Sequence, residues 1–183
     1  MSHALIVLAP GFEELEAVTV IDLLRRAQIK VTVAGLLDGP ITGSRQTVIL
    51  PDQPLSQIDQ DAIFDLIVLP GGLPGADHLR DDEGLIRRLQ AQVEAGRRVA
   101  AICAAPKVLA RAGLITGKRI THYPGALSAQ ETAGATVTAS AVEVDGLITT
   151  SRGPGTAMDF ALSLIEQLEG TARRNEVEQG LVR

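Results

Sequence analysis

Short aliphatic runs alternate with longer amphipathic segments along the whole chain, a pattern typical of parallel strands that are joined by crossover helices. The aliphatic runs predict five strands, at Ala4–Ala9, Lys30–Gly35, Leu66–Leu69, Val99–Cys103 and Arg119–His122. The amphipathic segments predict four helices, at Glu13–Ala27, Asp82–Ala95, Pro106–Ala112 and Gly155–Leu168. The tail Thr171–Arg183 has a few apolar residues in a polar segment, and is either a short covering helix or partly disordered. No repeat or linker divides the chain, so we expect one α/β domain over residues 1–183.

Two Asp-Gly dipeptides predict β-hairpins that are added to this mostly parallel sheet. Asp38-Gly39 precedes Thr47–Leu50, and Asp145-Gly146 lies between Val142–Val144 and Leu147–Thr150. Asp-Gly favours the type I′ turn, because that turn needs a positive φ at both central residues. We therefore expect one or two hairpins that supply antiparallel or edge strands.

The composition excludes several classes of function. The chain has 183 residues, of which 45% are hydrophobic but only 2% aromatic, and its formal net charge is -5. A protein that binds nucleic acid needs clustered Lys and Arg, and stacking on single strands needs aromatic side chains. The basic pairs here are isolated among acidic residues. We expect an aliphatic core and no specific nucleic-acid partner.

The N-terminus and the apolar runs predict a cytoplasmic protein. The longest apolar stretches, Ala4–Ala9 and Val99–Ala105, are far shorter than the roughly 20 residues that span a bilayer. The first residues lack the basic segment of a secretory signal, and their apolar run leads into Glu13 and Glu14. We therefore expect no membrane partner.

Cys103 is the only cysteine, which excludes a disulfide within the chain and an all-cysteine metal site. It follows a predicted strand and precedes Pro106, a residue typical of the first turn of a helix. This strand-to-helix corner resembles a nucleophile elbow. The positive end of a helix would lower the thiol pKa and its free N–H groups would receive an oxyanion. The alternative is a buried, inert cysteine, but the corner position favours a reactive thiol.

Gly71-Gly72 follows the third predicted strand and offers bare backbone N–H groups at the same edge of the sheet. These groups could supply the second half of an oxyanion hole. A tight turn without chemistry explains the two glycines equally well. No Gly-Lys-Ser/Thr sequence follows them, so they are not a phosphate-binding P-loop.

Glu16 is a carboxyl group on the apolar, core-facing side of a predicted helix. On a helix from Glu13 it shares a face with Val20, Leu23 and Ala27. A carboxyl on that core side has a raised pKa, and its neutral form can donate a hydrogen bond to a thiolate. The alternative is a helix-start charge that extends to water.

His122 ends the fifth predicted strand and is a candidate general acid or base. The other two histidines, His3 and His78, lie in positions where we expect solvation. No pair of histidines has the spacing of metal ligands, so we predict no metal.

The candidate residues belong to five short motifs: Gly11-Phe12-Glu13-Glu14-Leu15-Glu16-Ala17, Leu69-Pro70-Gly71-Gly72, Ala100-Ala101-Ile102-Cys103-Ala104-Ala105-Pro106, Thr121-His122 and Thr150-Ser151-Arg152-Gly153-Pro154-Gly155-Thr156. Together these motifs resemble the ThiJ/PfpI superfamily, in the branch of the Parkinson-associated deglycase (DJ-one) and bacterial YajL. The resemblance covers residues 4 to 168. It implies a flavodoxin-like three-layer sandwich that forms a homodimer and needs no cofactor.

The same resemblance implies roles for individual residues. Cys103 would be the nucleophile, Glu16 the protonated partner of its thiolate, and His122 a nearby acid or base. The N–H groups of Gly72 and Ala104 would form the oxyanion pocket beside Gly71. Arg45 would approach the site from the dimer partner. Ala104 stands where the protease-like branch has a histidine, which disfavours a cysteine protease.

The function that this resemblance implies is a cofactor-independent cysteine enzyme for small reactive carbonyls. Its thiolate would convert an aldehyde such as methylglyoxal to a 2-hydroxy acid without glutathione, and protein deglycation is a closely related activity. The alternative is a non-catalytic redox sensor or oxidative-stress chaperone that uses the same cysteine. Both need a reactive thiol, so the sequence leaves both open.

Overall fold

A computed structural model of the protein describes residues 1–182. It contains eleven strands and five helices in these described residues. The strands are β1 (His3–Leu8), β2 (Lys30–Gly35), β3 (Ile41–Thr42), β4 (Val48–Ile49), β5 (Gln53–Pro54), β6 (Leu66–Leu69), β7 (Arg98–Ile102), β8 (Arg119–Ile120), β9 (Thr136–Val137), β10 (Val142–Asp145) and β11 (Ile148–Ser151). The helices are α1 (Glu14–Arg26), α2 (Gly75–Asp81), α3 (Glu83–Glu94), α4 (Pro106–Arg111) and α5 (Ala157–Gly180).

Seven strands form the central sheet in the order β10-β11-β7-β6-β1-β2-β5. All neighbours in it are parallel except β10 and β11, which form an antiparallel hairpin at one edge. The strands β6 and β1 in the middle are buried on both faces, which explains why their sequences are continuous aliphatic runs. The mostly parallel sheet confirms the predicted fold class.

Helices cover both faces of the sheet and create two separate hydrophobic cores. Alternate side chains of β1 point to opposite faces, so Ile6 packs with residues of α1 and α5 while Leu5 packs with residues of α3 and α4. This arrangement is the predicted three-layer sandwich. Within residues 1–182, none of the helices combines the length and the apolarity that a membrane span requires.

The fifth predicted strand is not part of the central sheet. Only Arg119–Ile120 is extended as a strand, and it pairs with β9 in a small separate sheet. The prediction of Arg119–His122 as a sheet strand was wrong because β11 occupies the place beside β7, and the other edge of β11 is already paired with β10. The backbone N–H of Thr121 instead donates to Oγ1 of Thr150 at 2.8 Å.

One of the two predicted hairpins forms where the sequence indicates it. β10 and β11 pair across Asp145-Gly146, with Asp145 opposite Ile148. In this turn only Gly146 has a positive φ, of 64°, so the expected type I′ turn was wrong. A two-residue turn with a positive φ at its first central residue alone fits type II′.

The other hairpin is closed by residues that the sequence analysis did not choose. β3 pairs with β4, and the N–H of Gly43 donates to the carbonyl of Thr47 at 2.8 Å. Asp38-Gly39 lies before β3, where the Asp38 side chain accepts a hydrogen bond from the Gly39 N–H at 2.9 Å. The predicted turn was therefore wrong, because Asp38-Gly39 makes a local turn between β2 and β3.

Two helical segments extend beyond the prediction. Helix α2 follows the glycine-rich loop after β6, and α5 continues through the tail after a break at Gly170, where φ is 83° and ψ is 169°. Val177 in this continuation is buried against the core. The tail is thus a covering helix, one of the two interpretations of the sequence; its last residue, Arg183, lies outside the described residues.

Candidate active site

Cys103 stands at the corner between β7 and α4. Its N–H donates to the carbonyl of Ser151 at 3.0 Å, and its own carbonyl accepts from the N–H of Tyr123 at 2.9 Å. These two bonds hold it at φ 65°, in the left-handed region that residues other than glycine rarely adopt. Such strain in a fixed position is found at functional sites. The corner that the sequence predicts is therefore present.

Glu16 lies in the first turn of α1 and is fully buried, on the core side that its periodicity predicts. The N–H of Gly71 donates to its Oε2 at 2.7 Å. Its other oxygen, Oε1, is buried without a well-formed hydrogen bond among residues 1–182. Burial raises the pKa of Glu16 to about 7, against the opposing effects of the Gly71 N–H and the Cys103 thiol.

The structure gives Cys103 a different electrostatic balance from the one the sequence suggests. Burial, followed by the negative charge of Glu16, raises the pKa of its thiol to about 12. The N–H groups of Gly72 and Ala104 hydrogen-bond the sulfur and lower the pKa, but by less. The helix N-terminus alone therefore does not produce a thiolate, because burial of the thiol outweighs it.

Glu16 and Cys103 titrate as a pair, since the negative charge of Glu16 raises the pKa of Cys103 and a hydrogen bond from the Cys103 thiol lowers the pKa of Glu16. The pair therefore releases its two protons in separate steps. After the first step the single negative charge lies on the group that the neighbouring hydrogen-bond donors stabilise more. Two backbone N–H groups contact the sulfur, and only one contacts the carboxyl of Glu16. A protonated Glu16 could also donate a hydrogen bond to the sulfur of Cys103, whereas an ionised Glu16 has no proton to donate. On this physical argument the charge is better stabilised on Cys103, with the proton on Glu16.

The two glycines after β6 are needed for the close approach of these groups. A Cβ atom at Gly71 would lie 2.6 Å from the Cβ of Cys103 and 2.8 Å from Oε2 of Glu16. A Cβ at Gly72, where φ is 87°, would overlap the backbone of Glu13 and Gly11. The Gly-Gly sequence thus brings one N–H to the carboxyl of Glu16 and the next to the sulfur.

An open cavity of about 390 Å³ lies above Cys103. Of the candidate residues, Arg45, Gly72, Cys103 and Ala104 line it, while Glu16 is buried beneath. The cavity is also lined by residues that the sequence analysis did not select: Glu13, Ser44, Leu73, Tyr123, Pro124, Gly125, Ala126 and Pro154. Glu13 and Pro154 lie within the five motifs, and the others are sequence neighbours of Gly72, His122 or Arg45, so their only signal in the sequence was their place in the same loops.

His122 is half-buried and is not among the residues that line this cavity. Its Nδ1 lies 2.8 Å from the carbonyl oxygen of Tyr123. Because a carbonyl can only accept, Nδ1 carries the proton and Nε2 is free to accept one. His122 is thus next to a lining residue without lining the cavity itself, and its predicted role in proton transfer stays a prediction.

Arg45 reaches the cavity of its own chain, whereas the resemblance implied that it comes from a dimer partner. The side chain of Glu14 fixes the hairpin loop, because its Oε1 accepts from the N–H of Arg45 at 2.7 Å and of Thr47 at 3.2 Å. Ser44 donates from Oγ to Oε2 of Glu13 at 3.2 Å. The β3–β4 hairpin therefore supplies one wall of the site.

The described residues 1–182 contain no group of three or more His, Cys, Asp or Glu side chains that could hold a metal ion. The chemistry on view is that of a thiol, a buried carboxyl and two converging N–H groups. Fold and site thus define an α/β protein with a cysteine on a strand-to-helix corner, beside the carboxyl ends of parallel strands.

Comparison with known proteins identifies the family within this class. The DJ-1/PfpI family profile matches residues 2–167, and the chain belongs to that family. The chain is 46% identical over 180 residues to Protein dj-1beta of Drosophila melanogaster, covering 98% of this chain and 96% of that protein. It is 34% identical over 175 residues to a Caenorhabditis elegans protein named glutathione-independent glyoxalase DJR-1.2, covering 95% and 92% of the two chains.

The fold similarity agrees with this result. The crystal structure of Drosophila melanogaster DJ-1beta superposes with a TM-score of 0.93 at 44% sequence identity, covering 100% of this chain and 98% of that one. The resemblance found in the sequence is therefore confirmed.

Proposed function

We propose that the protein converts small 2-oxoaldehydes such as methylglyoxal to 2-hydroxy acids, without glutathione. The observation that carries this proposal is the pairing of Cys103 with the buried Glu16, beneath a cavity where the N–H groups of Gly72 and Ala104 converge on the sulfur. Such an arrangement suits addition of a sulfur nucleophile to a carbonyl, because the donors stabilise the negative oxygen that forms.

The reaction follows from these groups. The Cys103 sulfur attacks the aldehyde carbon of methylglyoxal, and its oxygen takes a proton to give a hemithioacetal. Glu16 or His122 then moves the proton from this carbon to the neighbouring carbonyl carbon through an enediol, which leaves a thioester of lactate. Water cleaves the thioester, releasing lactate and restoring the thiol. The sum is methylglyoxal plus water to lactate, with no external oxidant or reductant.

Similarity supports the general activity. The name of the Caenorhabditis elegans relative describes a glutathione-independent glyoxalase, and the alignment covers 95% of this chain. Protein deglycation would use the same attack on a carbonyl that is already attached to a protein amine or thiol. A free 2-oxoaldehyde requires only the groups at the base of the cavity, so we propose it as the primary substrate.

Lactate formation from methylglyoxal tests the proposal. We expect turnover by the wild-type protein and none above background by Cys103→Ser, whose hydroxyl is a weak nucleophile at neutral pH. Arg87→Gln is a control, since Arg87 is exposed on α3 and lines none of the cavities described here; it should retain the wild-type rate. The proposed activity would be refuted if folded wild-type protein formed no lactate, or if Cys103→Ser were as active as the wild type.

A second candidate function, redox sensing, is favoured by the same thiol. Cys103 is 9% exposed and lines an open cavity, and thiols oxidise according to their thiolate character and access. We expect mild peroxide to add two oxygens at Cys103 and stop, because Glu16 and the pocket N–H groups can hydrogen-bond a sulfinate. Intact-mass spectra without an adduct, under conditions that oxidise the denatured chain, would exclude this role and an oxidation-dependent chaperone.

We also infer a homodimer. Four apolar side chains are exposed close to the start of α1 and on the β3–β4 hairpin: Leu15, Val18, Val48 and Leu50. Glu14 ties these two elements together through its bonds to the hairpin backbone. Large apolar side chains exposed on connected elements favour a protein interface there. Light scattering should give twice the chain mass for the wild type and a smaller mass for Leu50→Lys; a monomeric wild type would contradict the inference.

A further inference from the structure

A second cavity of about 430 Å³ adjoins the one above Cys103. The two share three lining residues, Tyr123, Pro124 and Pro154, so they are neighbouring parts of one surface depression. The remaining residues around the second cavity are Arg152, Gly153, Gly155 and Thr156. Each cavity by itself is within the range of about 300–1,000 Å³ typical of small-molecule sites. A three-carbon aldehyde would therefore leave the second cavity empty.

Arg152 is held next to the reactive cysteine by the sheet. β11 runs parallel to β7 with Ser151 opposite Ile102. Arg152 and Cys103 are the residues that directly follow these two strands. One backbone bond continues this register, from the Cys103 N–H to the Ser151 carbonyl at 3.0 Å. A second, from the Arg152 N–H to the Ala141 carbonyl at 3.1 Å, holds Arg152 on the side of β10. The place of Arg152 is thus determined by the same strands that place the nucleophile.

Arg152 is half-buried, and within residues 1–182 its backbone N–H has a hydrogen bond, to Ala141, whereas no ion pair or hydrogen bond of its guanidinium is found. Other arginines are neutralised by acidic partners, for example Arg97 by Asp65 at 2.7 Å and Arg111 by Glu83 at 2.6 Å. The lining of the second cavity contains this one cation and no acidic side chain. In a chain of net charge -5, this is a local positive site without an internal partner.

We propose that Arg152 and the second cavity bind the carboxylate end of an extended carbonyl substrate, whose aldehyde lies at Cys103. This inference rests on the proposed function and narrows its substrate class to 2-oxoaldehydes with an anionic tail. A guanidinium matches the planar carboxylate with two parallel hydrogen bonds. A single cation balances a monoanionic carboxylate better than a doubly charged phosphate. The apolar surfaces of Pro124 and Pro154 lie between the two ends and suit a short hydrocarbon chain.

Kinetics with a matched pair of substrates tests the charge preference. The pair is 4,5-dioxopentanoate, which carries a terminal carboxylate, and 2-oxopentanal, which has the same number of carbons and no charge. We expect the wild type to have at least a tenfold higher kcat/KM for the charged substrate, because hydrogen bonds between a guanidinium and a carboxylate are charge-assisted and stronger than neutral ones. Arg152→Gln should lose this preference because its KM for the charged substrate rises. Arg152→Lys should retain part of the preference. Arg87→Gln should retain the full preference.

A binding measurement tests whether Arg152 binds a carboxylate, independently of any turnover. We would titrate 4-oxopentanoate, and separately uncharged 2-pentanone, into Cys103→Ser protein and into the Cys103→Ser, Arg152→Gln double variant. We expect saturable binding of 4-oxopentanoate only, lost with Arg152. Equal binding to both variants, or equal binding of the two ligands, would overturn the proposal. Absence of lactate formation together with Arg152-dependent binding would instead refute the glyoxalase and keep the anion site.

Discussion

The backbone N–H of Gly71 donates a 2.7 Å hydrogen bond to Oε2 of the buried Glu16. This bond joins the loop after β6 to the first turn of α1, directly beneath Cys103. The next N–H along the same loop, from Gly72, contacts the sulfur. One pair of glycines therefore positions both the carboxyl and the oxyanion donor.

The first prediction concerns the atom that carries the charge of the Glu16–Cys103 pair. Because more N–H donors contact the sulfur than the carboxyl, we expect the thiolate absorbance in the ultraviolet to appear with a midpoint below about 8.5, the ordinary thiol value. In Ala104→Pro, which lacks one of the donors, the midpoint should rise. A wild-type midpoint near 12 would mean that Glu16 is ionised and the thiol protonated throughout the neutral range.

The second prediction separates the chemical role of Glu16 from its structural role. Glu16→Gln keeps an oxygen for the Gly71 N–H but cannot transfer a proton, so it should fold normally and lose about 10²–10⁴ in kcat. Glu16→Leu should be equally slow and also less stable, because it leaves the Gly71 N–H without an acceptor, at a cost of about 1–3 kcal/mol. Methylglyoxal assays and thermal melts measure both. A folded Glu16→Gln with wild-type turnover would remove Glu16 from the mechanism.

The third prediction is a pH dependence of stability. Burial raises the pKa of Glu16 from 4.5 to about 7, so between these values the folded protein holds a proton that the unfolded chain has released. The free energy of unfolding should therefore fall by about 1.4 kcal/mol per pH unit as pH rises through this window, and then level off. The direction does not depend on which atom of the pair loses the proton, because only the number of bound protons matters.

Urea titrations of the wild type and Glu16→Gln at several pH values measure this effect. The free energy of unfolding of Glu16→Gln relative to that of the wild type should increase as pH rises from about 4.5 to 7. A difference that is constant with pH would show that Glu16 has an ordinary pKa in the folded protein.

The fourth prediction concerns Lys107, a buried residue of α4 whose Nζ lies 2.8 Å from Oδ1 of Asp77 in α2. Helix α4 follows Cys103 and α2 follows the Gly72 loop, so the ion pair fixes the distance between the nucleophile and one oxyanion donor. Lys107→Met should lower kcat more than it changes KM, with a loss of about 1–3 kcal/mol in stability. Lys107→Arg should restore most of the rate.

Arg80→Gln is the matched control, because Arg80 contacts the same Asp77 oxygen at 3.2 Å but is more exposed and does not belong to α4. It should have a near wild-type kcat. If Lys107→Met and Arg80→Gln lower kcat equally, then Lys107 has no special positioning role.

The local pattern of the sequence identified the elements that carry the site. The periodicity of α1 placed Glu16 on its buried side, and the aliphatic run before Pro106 placed Cys103 at a strand-to-helix corner. These features depend on residues within one or two turns of each other, so a single segment determines them. The same holds for Gly71-Gly72, since a tight turn after a strand needs such residues wherever the segment packs.

Contacts between distant segments were decided only by the tertiary structure. Arg119–Ile120 has the sequence of a sheet strand, but β11 occupies the place beside β7 and Arg119–Ile120 pairs with β9 instead. The hairpin next to the site closes at Gly43 instead of Asp38-Gly39. Tyr123 lines the cavity above Cys103 because the loop after β8 is hydrogen-bonded to Cys103, and Arg152 lines the adjoining cavity because it follows β11. Pairing between segments depends on which partners remain available once the sheet has formed, and no local pattern records it.

The electrostatics of the site show the same division. The sequence determined that a thiol, a carboxyl and two glycines stand at the carboxyl edge of a parallel sheet, because each lies at a strand or helix end that its own segment defines. It did not determine the thiol pKa, which the sequence argument expected to be lowered by a helix end. Packing buries Cys103 beside Glu16, so desolvation and the negative charge of Glu16 raise that pKa, and the sulfur is ionised at neutral pH only when the remaining proton of the pair stays on Glu16.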